Sequence, residues 1–254
     1  MADISTTIFE ALKKEITKLE IIPGEKISEG EICSRFSVTR PPVRTAFQRL
    51  QDIGLLENVP YKGATATLIS LSSVHQMIFM RTAVESCIIK DFINTNPSPF
   101  ILEEIEHNLR MQQIHVSQDE IDEKQFFILD CAFHQFWFDR MHCDDVWKMI
   151  QSDLNYERFR MLDFVGTLGY RDIVNNHEKL FEAIKKGDSN SITPILSSHL
   201  NAGLARMGNL IRTDYKQYFV LDEEDNEYWL SYNEKLLNFQ ISKMIVQLLQ
   251  LNRI

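Results

Sequence analysis

The sequence predicts a mainly α-helical chain in two parts: a small helix–turn–helix unit closed by a β-hairpin, then an all-helical antiparallel bundle. Three observations predict it. Only nine glycines and seven prolines occur in 254 residues, and most stand near turns, which favours long helices. Val43, Ala46, Phe47 and Leu50 recur at i, i+3, i+4 and i+7, the spacing of one apolar stripe on a helix. From Val74 onward the pattern stays helical, interrupted only by short polar or glycine-bearing stretches.

Ile4 to Leu19 reads as a first helix with Ile8, Leu12, Ile16 and Leu19 on one side. Pro23-Gly24 stops the chain, and Ser28-Glu29-Gly30-Glu31 opens a second helix as a capping box. A tight turn leads to a third helix beginning at the pair Pro41-Pro42. Neither proline has an N–H, so Thr39 cannot cap this helix by the usual bond to N2 or N3. Because a residue before proline avoids the α region, the helix is expected to begin nearer Pro42. It ends at Gly54. Leu55, Leu56 and Val59, then Thr65, Thr67, Leu68 and Ile69, form two short strand-like runs around Pro60, Lys62 and Gly63, a two-stranded wing.

The basic residues of this unit point to DNA. Arg40, Arg44 and Arg49 stand on the third helix and Arg35 on the second, and no acidic residue lies between Arg35 and Leu50. The plain alternative is a solvated basic face. The wing and the charge balance favour the first reading. Residues 1–70 hold nine basic and nine acidic side chains, whereas the rest of the chain carries the whole net charge of −9. An acidic body repels DNA, so the neutral unit with its basic helix is the part expected to touch it, with the leading end of that helix in the major groove.

Six further helices are expected at 73–94, 98–116, 119–141, 143–165, 172–186 and 189–213, after a polar linker at Ser70–Ser73. They would make a bundle able to hold a site in its interior. Asp130 and His134 are i and i+4 on one of them, with His177 and His199 on two later ones. One carboxylate and three imidazoles suit a transition metal such as Zn²⁺, Ni²⁺ or Mn²⁺. Taken singly, each histidine reads more readily as a surface or satisfied core residue than as a ligand, since spacing alone does not bring separate helices together. His75, His107, His115 and His142 have no such context.

Ile21-Ile22-Pro23-Gly24-Glu25-Lys26-Ile27-Ser28-Glu29, Val38-Thr39-Arg40-Pro41-Pro42-Val43-Arg44-Thr45-Ala46, Gly54-Leu55-Leu56 and Lys62-Gly63-Ala64 together resemble the winged helix-turn-helix of GntR-type bacterial transcription regulators. The resemblance covers about residues 4–70, with one departure. Pro41 stands where the family usually has threonine or a similar residue, so a contact from that position is lost and the Thr39 hydroxyl becomes free for a phosphate. Arg35, Thr39, Arg40, Pro42, Arg44 and Arg49, with Lys62 and Gly63 of the wing, are the candidate DNA contacts.

Residues from 74 to about 219 are similar to the all-helical FCD effector domain of the FadR branch of that family. The motifs are Arg81-x-x-x-Glu85, Asp130-x-x-x-His134 with Phe133, His177-Glu178, and His199. The resemblance implies a divalent metal, zinc first with nickel and manganese as alternatives, on Asp130, His134, His177 and His199. It also implies a small carboxylate or sugar acid beside that metal. Arg81 is similar to the family arginine that faces the effector, a natural bidentate partner for a carboxylate. Its other reading is an i,i+4 salt bridge to Glu85. Arg160 is a candidate second cation, with Arg158 equally placed by sequence.

Beyond Tyr218-Phe219 the resemblance fades. Asp222 to Glu227 reads as an acidic loop, and Leu230, Leu237, Ile241, Met244, Leu248 and Leu251 approximate a heptad stripe. The expected division is 1–72, 73–219 and 220–254. Four scattered cysteines without a C-x-x-C pair, no signal peptide and no apolar run near the ~18 residues of a membrane span point to the cytoplasm. The expectation is a dimeric repressor of operator DNA, modulated by an organic acid. The rival is a metal-dependent hydrolase or lyase using the same Asp/His cluster, and a purely structural metal is a third reading.

Overall fold

The computed structural model describes residues 3–59, 63–167 and 169–220, with residues 165–167 described by backbone alone. Lys62 of the wing, the acidic loop and the C-terminal heptad stripe lie outside the described residues.

The N-terminal unit is α1 (Ile4–Thr17), α2 (Glu29–Phe36), α3 (Arg40–Asp52) and an antiparallel hairpin, β1 (Leu56–Val59) with β2 (Gly63–Ala66), in the register Leu56↔Ala66 and Val59↔Gly63. Ile8, Leu12 and Ile16 of α1 and Val43, Ala46, Phe47 and Leu50 of α3 are buried together with Leu55, Leu56 and Ala66. The expected stripes therefore meet each other, which is why two short helices and a hairpin suffice for a core. Leu19 departs from the pattern. It follows the end of α1 at φ 59° and packs against the bundle instead.

Two ends of helices show the local chemistry directly. The Ser28 hydroxyl accepts the Glu31 N–H at 3.4 Å, the expected half of the capping box. At the end of α3, Gly54 sits at φ 73°, where a side chain would be strained; its N–H bonds Gln51 C=O while Leu55 N–H bonds Leu50 C=O. This pair of bonds terminates the helix and satisfies its last carbonyls. The start of α3 differs from the expectation. The helix begins at Arg40, two residues before Pro42, with Thr39 extended and making no capping bond. The prolines fall in the first turn, where helical N–H groups have no intrahelical partner, so their missing donors cost the helix nothing.

The bundle contains α4 (Leu71–Asn94), α5 (Pro99–Val116), α6 (Glu123–Arg140), α7 (Asp144–Gln151), α8 (Leu154–Thr167), α9 (Tyr170–Lys185) and α10 (Ser189–Arg212), followed by a 3-10 turn at Lys216–Tyr218. The expected helix 143–165 is thus two helices. Asp153 breaks it, since its carboxylate accepts the Tyr156 N–H at 2.8 Å and so caps a new helix. The expected linker at Ser70–Ser73 is likewise structured. Ser70 caps α4 by accepting the Ser73 N–H, and Ile69–Ser70 (β3) pairs in parallel with Phe219–Val220 (β4). The main core joins α4, α5, α6, α9 and α10 around Trp137, Phe133, Phe138, Ile89 and Ile192. A smaller aromatic cluster of Phe126, Phe164 and Tyr170 closes one end.

Leu12 is fully buried in the N-terminal core. Leu12→Ala removes buried methyl groups and leaves a cavity, for which a loss of roughly 2–5 kcal/mol is expected. Urea unfolding followed by circular dichroism measures it, and a loss below about 1 kcal/mol would mean that α1 does not depend on this stripe.

Candidate functional site

The outer face of the N-terminal unit is the leading half of α3. Thr39, Arg40, Pro41, Arg44, Thr45 and Gln48 are all exposed, opposite the buried stripe. Pro42 is half-buried and Gly63, at the wing, is exposed. Arg44 Nε donates to both carboxylate oxygens of Glu29 at 3.2 Å, a solvent-facing pair. Such a pair is worth at most about 1 kcal/mol, so a phosphate or a guanine edge can take the carboxylate's place. Arg35 is paired with Glu15 of α1 and remains half exposed. Arg49 is a correction. Its guanidinium lies 4.0 Å from the centre of the Phe9 ring and donates to the Thr6 hydroxyl at 3.0 Å, so it holds α1 to α3 rather than facing outward. Thr45 and Gln48, not singled out by sequence, share the open face; the complement of the apolar stripe would have found them.

Inside the bundle, Asp130 and His134 of α6, His177 of α9 and His199 of α10 converge. One ligand atom from each lies within 4.8 Å of the others, and all four side chains are buried. His134 Nε2 is 3.1 Å from His199 Nε2, which is 3.2 Å from His177 Nε2. Asp130 Oδ1 stands 3.6 Å from His177 Nε2. The four residues named from the sequence are therefore brought together.

Neighbours dictate which nitrogens are bare. Asn108 Nδ2 donates to the Leu129 carbonyl, so Asn108 Oδ1 accepts from Gln112 Nε2, and Gln112 Oε1 accepts from His177 Nδ1 at 2.8 Å. On the other side Glu85 Oε2 accepts from His134 Nδ1 at 2.8 Å. Both rings carry their proton on Nδ1, which leaves Nε2 as a lone pair in the neutral form. His199 Nε2 can donate to one of these two atoms only. With neutral rings, the remaining contact sets two lone pairs against each other. Burial holds His177 at about 3 and, with the neighbouring imidazoles, keeps His199 well below the ordinary histidine value, so protonating these two rings does not resolve the conflict near neutral pH. A cation shared by the three nitrogens and the carboxylate does, and the donor set is that of a transition-metal centre.

Glu85 was legible only as a partner for Arg81, and Gln112 and Tyr156 had no sequence signal. Arg81 and Glu85 are both fully buried and joined at 2.5 Å. Burial opposes the Glu85 charge, yet Arg81 and His134 override it and hold the carboxyl at about 2. Asp130, likewise penalised by burial, is kept ionised by Arg160, with which it pairs directly. Sequence left Arg158 and Arg160 equivalent; the structure places Arg160 at the cluster. Tyr156 accepts from Arg81 Nη1 at 2.8 Å, whereas Arg81 Nη2 is buried without a hydrogen-bond partner among the described residues. A cleft of about 40 Å³ adjoins the cluster, lined by Asp130, His134, His199 and the Asp163–Arg206 pair. Arg81, Tyr156 and Arg160 also line a second chamber of about 280 Å³, with Phe127, Trp147 and Ile150 and the acidic Asp153 and Glu157.

Residues 4–65 match the family described as bacterial regulatory proteins, gntR family, and residues 76–202 match the FCD domain. The HTH-type transcriptional repressor RspR of Escherichia coli K12 is 29% identical over 202 residues, covering 78% of this chain and 86% of that protein. The gluconate operon transcriptional repressor of Bacillus subtilis is 24% identical over 70% of this chain and 74% of its own. Among solved structures, E. coli McbR/YncC has a TM-score of 0.62 at 17% identity, covering 83% of this chain and 99% of that one. A putative GntR regulator from Rhodococcus sp. RHA1 has a TM-score of 0.63 at 18% identity, covering 80% and 97%. With both domains matched in order, and with its wing and exposed α3 in place, the chain belongs to the GntR family, as a DNA-binding transcription regulator with an FCD effector-binding domain.

Proposed function

We propose that this regulator is a cytoplasmic homodimeric repressor whose operator binding is modulated by a small organic acid at a divalent metal centre. Asp130, His134, His177 and His199 are the ligands, with zinc the first choice and nickel or manganese next. The observation that supports this most is the meeting of three imidazole Nε2 atoms, two of them with Nδ1 already committed to Glu85 and Gln112. The metal would supply positive charge to a carboxylate oxygen of the effector. Arg81, with its free Nη2, and Arg160 supply the cationic hydrogen bonds that a carboxylate accepts. Phe127, Trp147 and Ile150 give the chamber apolar walls for the carbon skeleton. Sugar acids and other small carboxylates are the class to test first.

The functional division would run at 1–72 for operator binding, 73–219 for metal and effector, and 220–254 as a C-terminal extension. Two copies would set two α3 helices on half-sites, with Arg40 and Arg44 contacting bases and phosphates and Thr39 a phosphate. The effector then acts through its differential affinity for two arrangements of the dimer, a coupling of typically ~1–3 kcal/mol.

Elemental analysis of protein purified without chelator tests the centre. About one metal equivalent per chain is expected, one ion for one four-ligand set, and none in His134→Ala/His177→Ala. Equal metal in both proteins would sink the assignment. Arg44→Ala tests the other end: operator affinity, measured by fluorescence anisotropy on a duplex selected from a random pool, should fall by at least about tenfold while metal content stays unchanged. Unaltered affinity would remove Arg44 from the interface.

A further inference from the structure

Helix α8 faces two ways. On one side Tyr156 and Arg160, one turn apart, meet Arg81 and Asp130 of the metal and effector site. On the other side Arg158 is a buried guanidinium, 1% exposed, with no carboxylate in ion-pair range among the described residues. Its donors go to main chain: Nη1 to Thr67 C=O at 2.7 Å, Nη2 to Leu68 C=O at 3.4 Å, and Nε to Leu154 C=O at 3.2 Å. Nη2 also reaches Asn155 Oδ1 at 3.1 Å, and that same oxygen accepts the Ser70 N–H at 3.0 Å. Asp153 accepts the Ser73 hydroxyl at 3.3 Å. The start of α8 thus holds Thr67, Leu68 and Ser70 by their backbone and Ser73 by its hydroxyl.

Thr67 is held from the opposite direction by the DNA-binding unit. Its N–H bonds Leu55 C=O at 3.0 Å and its hydroxyl bonds Gly54 C=O at 2.7 Å. Those two residues are the ones that close the C-terminus of α3. Helix α8 therefore joins two sets of hydrogen bonds, one to the effector site through Tyr156 and Arg160, the other through Arg158 to Thr67 and the end of α3. Burying a guanidinium with no carboxylate bonded to it is costly, and burial pulls Arg158 down to about 10 even with Asp153 nearby to raise it. An apolar side chain would fill the space at less cost. What Arg158 adds is a fixed register between α8 and two specific carbonyls.

We infer that Arg158 is a positioning residue that transmits the state of the effector site, through α8, to the Thr67 joint and so to the placement of α3. The inference rests on the metal and effector reading of the bundle site. It concerns which residue links that site to the DNA-binding unit, not which residues hold the ligand.

Amide hydrogen exchange of the full chain, with and without added Zn²⁺ as the probe, tests it, with metal content measured in the same samples. In the wild type, zinc is expected to change exchange across Thr67–Ser73 and Gly54–Leu56 several-fold. Arg158→Met should take up the same zinc while losing most of that response, and Arg158→Lys, which can still reach one carbonyl, should recover part of it. A merely structural arginine would lower the melting temperature of Arg158→Met yet leave the zinc response in place, and that result overturns the inference. So does a wild type that binds zinc without any change at Thr67–Ser73. A wild type that takes up no zinc overturns the metal reading itself and this inference with it. If Arg158→Met does not fold, Asn155→Ala, which removes the bond to Ser70 N–H, is expected to bind zinc with a reduced response, and an undiminished response overturns the inference.

Discussion

The bundle depends on ionised groups that it has taken out of water. Arg81, Glu85 and Asp130 are each at most 3% exposed, in a core otherwise made of phenylalanine, tryptophan and branched aliphatics. A charge in such a place is tolerated only with a partner and hydrogen bonds to its remaining atoms. The helices are accordingly arranged so that each of these three charges has an oppositely charged partner. Arg81 answers Glu85, Glu85 orients His134, and Arg160 answers Asp130. Removing one member would leave an uncompensated ion in the interior. The packing of α4, α6 and α8 is therefore inseparable from the chemistry of the site.

That arrangement gives the histidine cluster the donor set of a cation site. The hydrogen-bond relay from the Leu129 carbonyl through Asn108 and Gln112 fixes His177, and Glu85 fixes His134. Both fix the same tautomer, with Nε2 inward. Had either ring been turned over, its N–H would satisfy its neighbour and the cluster would be an ordinary buried hydrogen-bond network. Supporting groups of this kind, one step behind the ligands, orient metal sites in general. Here they come from α4 and α5, helices that contribute none of the four ligands.

Much of this was legible in the sequence, for reasons that show where legibility stops. The apolar stripe of α3 and the i,i+4 pair Asp130–His134 are local periodicities, and a helix turns them into shared faces without help from the rest of the fold. Arg49 was misjudged by neglecting that same periodicity. Nine residues beyond Arg40, at about 100° per residue, it lies on the opposite side of the helix, whereas Arg44 lies only about 40° away. The break between α7 and α8 was also written locally, as an aspartate able to cap. It was missed because apolar residues continue on both sides of it. Gln112, Tyr156 and the parallel pairing of Ile69 with Phe219 are different. They are contacts across 65, 75 and 150 residues, and no local pattern encodes them.

The effector's leverage follows from the same electrostatics. Arg81 joins Tyr156 of α8 and Glu85 behind His134, and its Nη2 has no hydrogen-bond partner among the described residues. A carboxylate accepting from that Nη2 would add a second anion to a guanidinium that already serves Glu85. Charges interact strongly where water is excluded, so the guanidinium must redistribute between the two carboxylates. Any weakening of its bonds to Glu85 or Tyr156 is felt on the metal-ligand side and on α8 together. An effector without a negative group would fill the chamber without disturbing that balance, however tightly it bound. It would then have to act through other contacts, because a ligand shifts an equilibrium only by its difference in affinity for the two states. Under the proposed function, an acidic group on the effector would therefore serve regulation as well as binding.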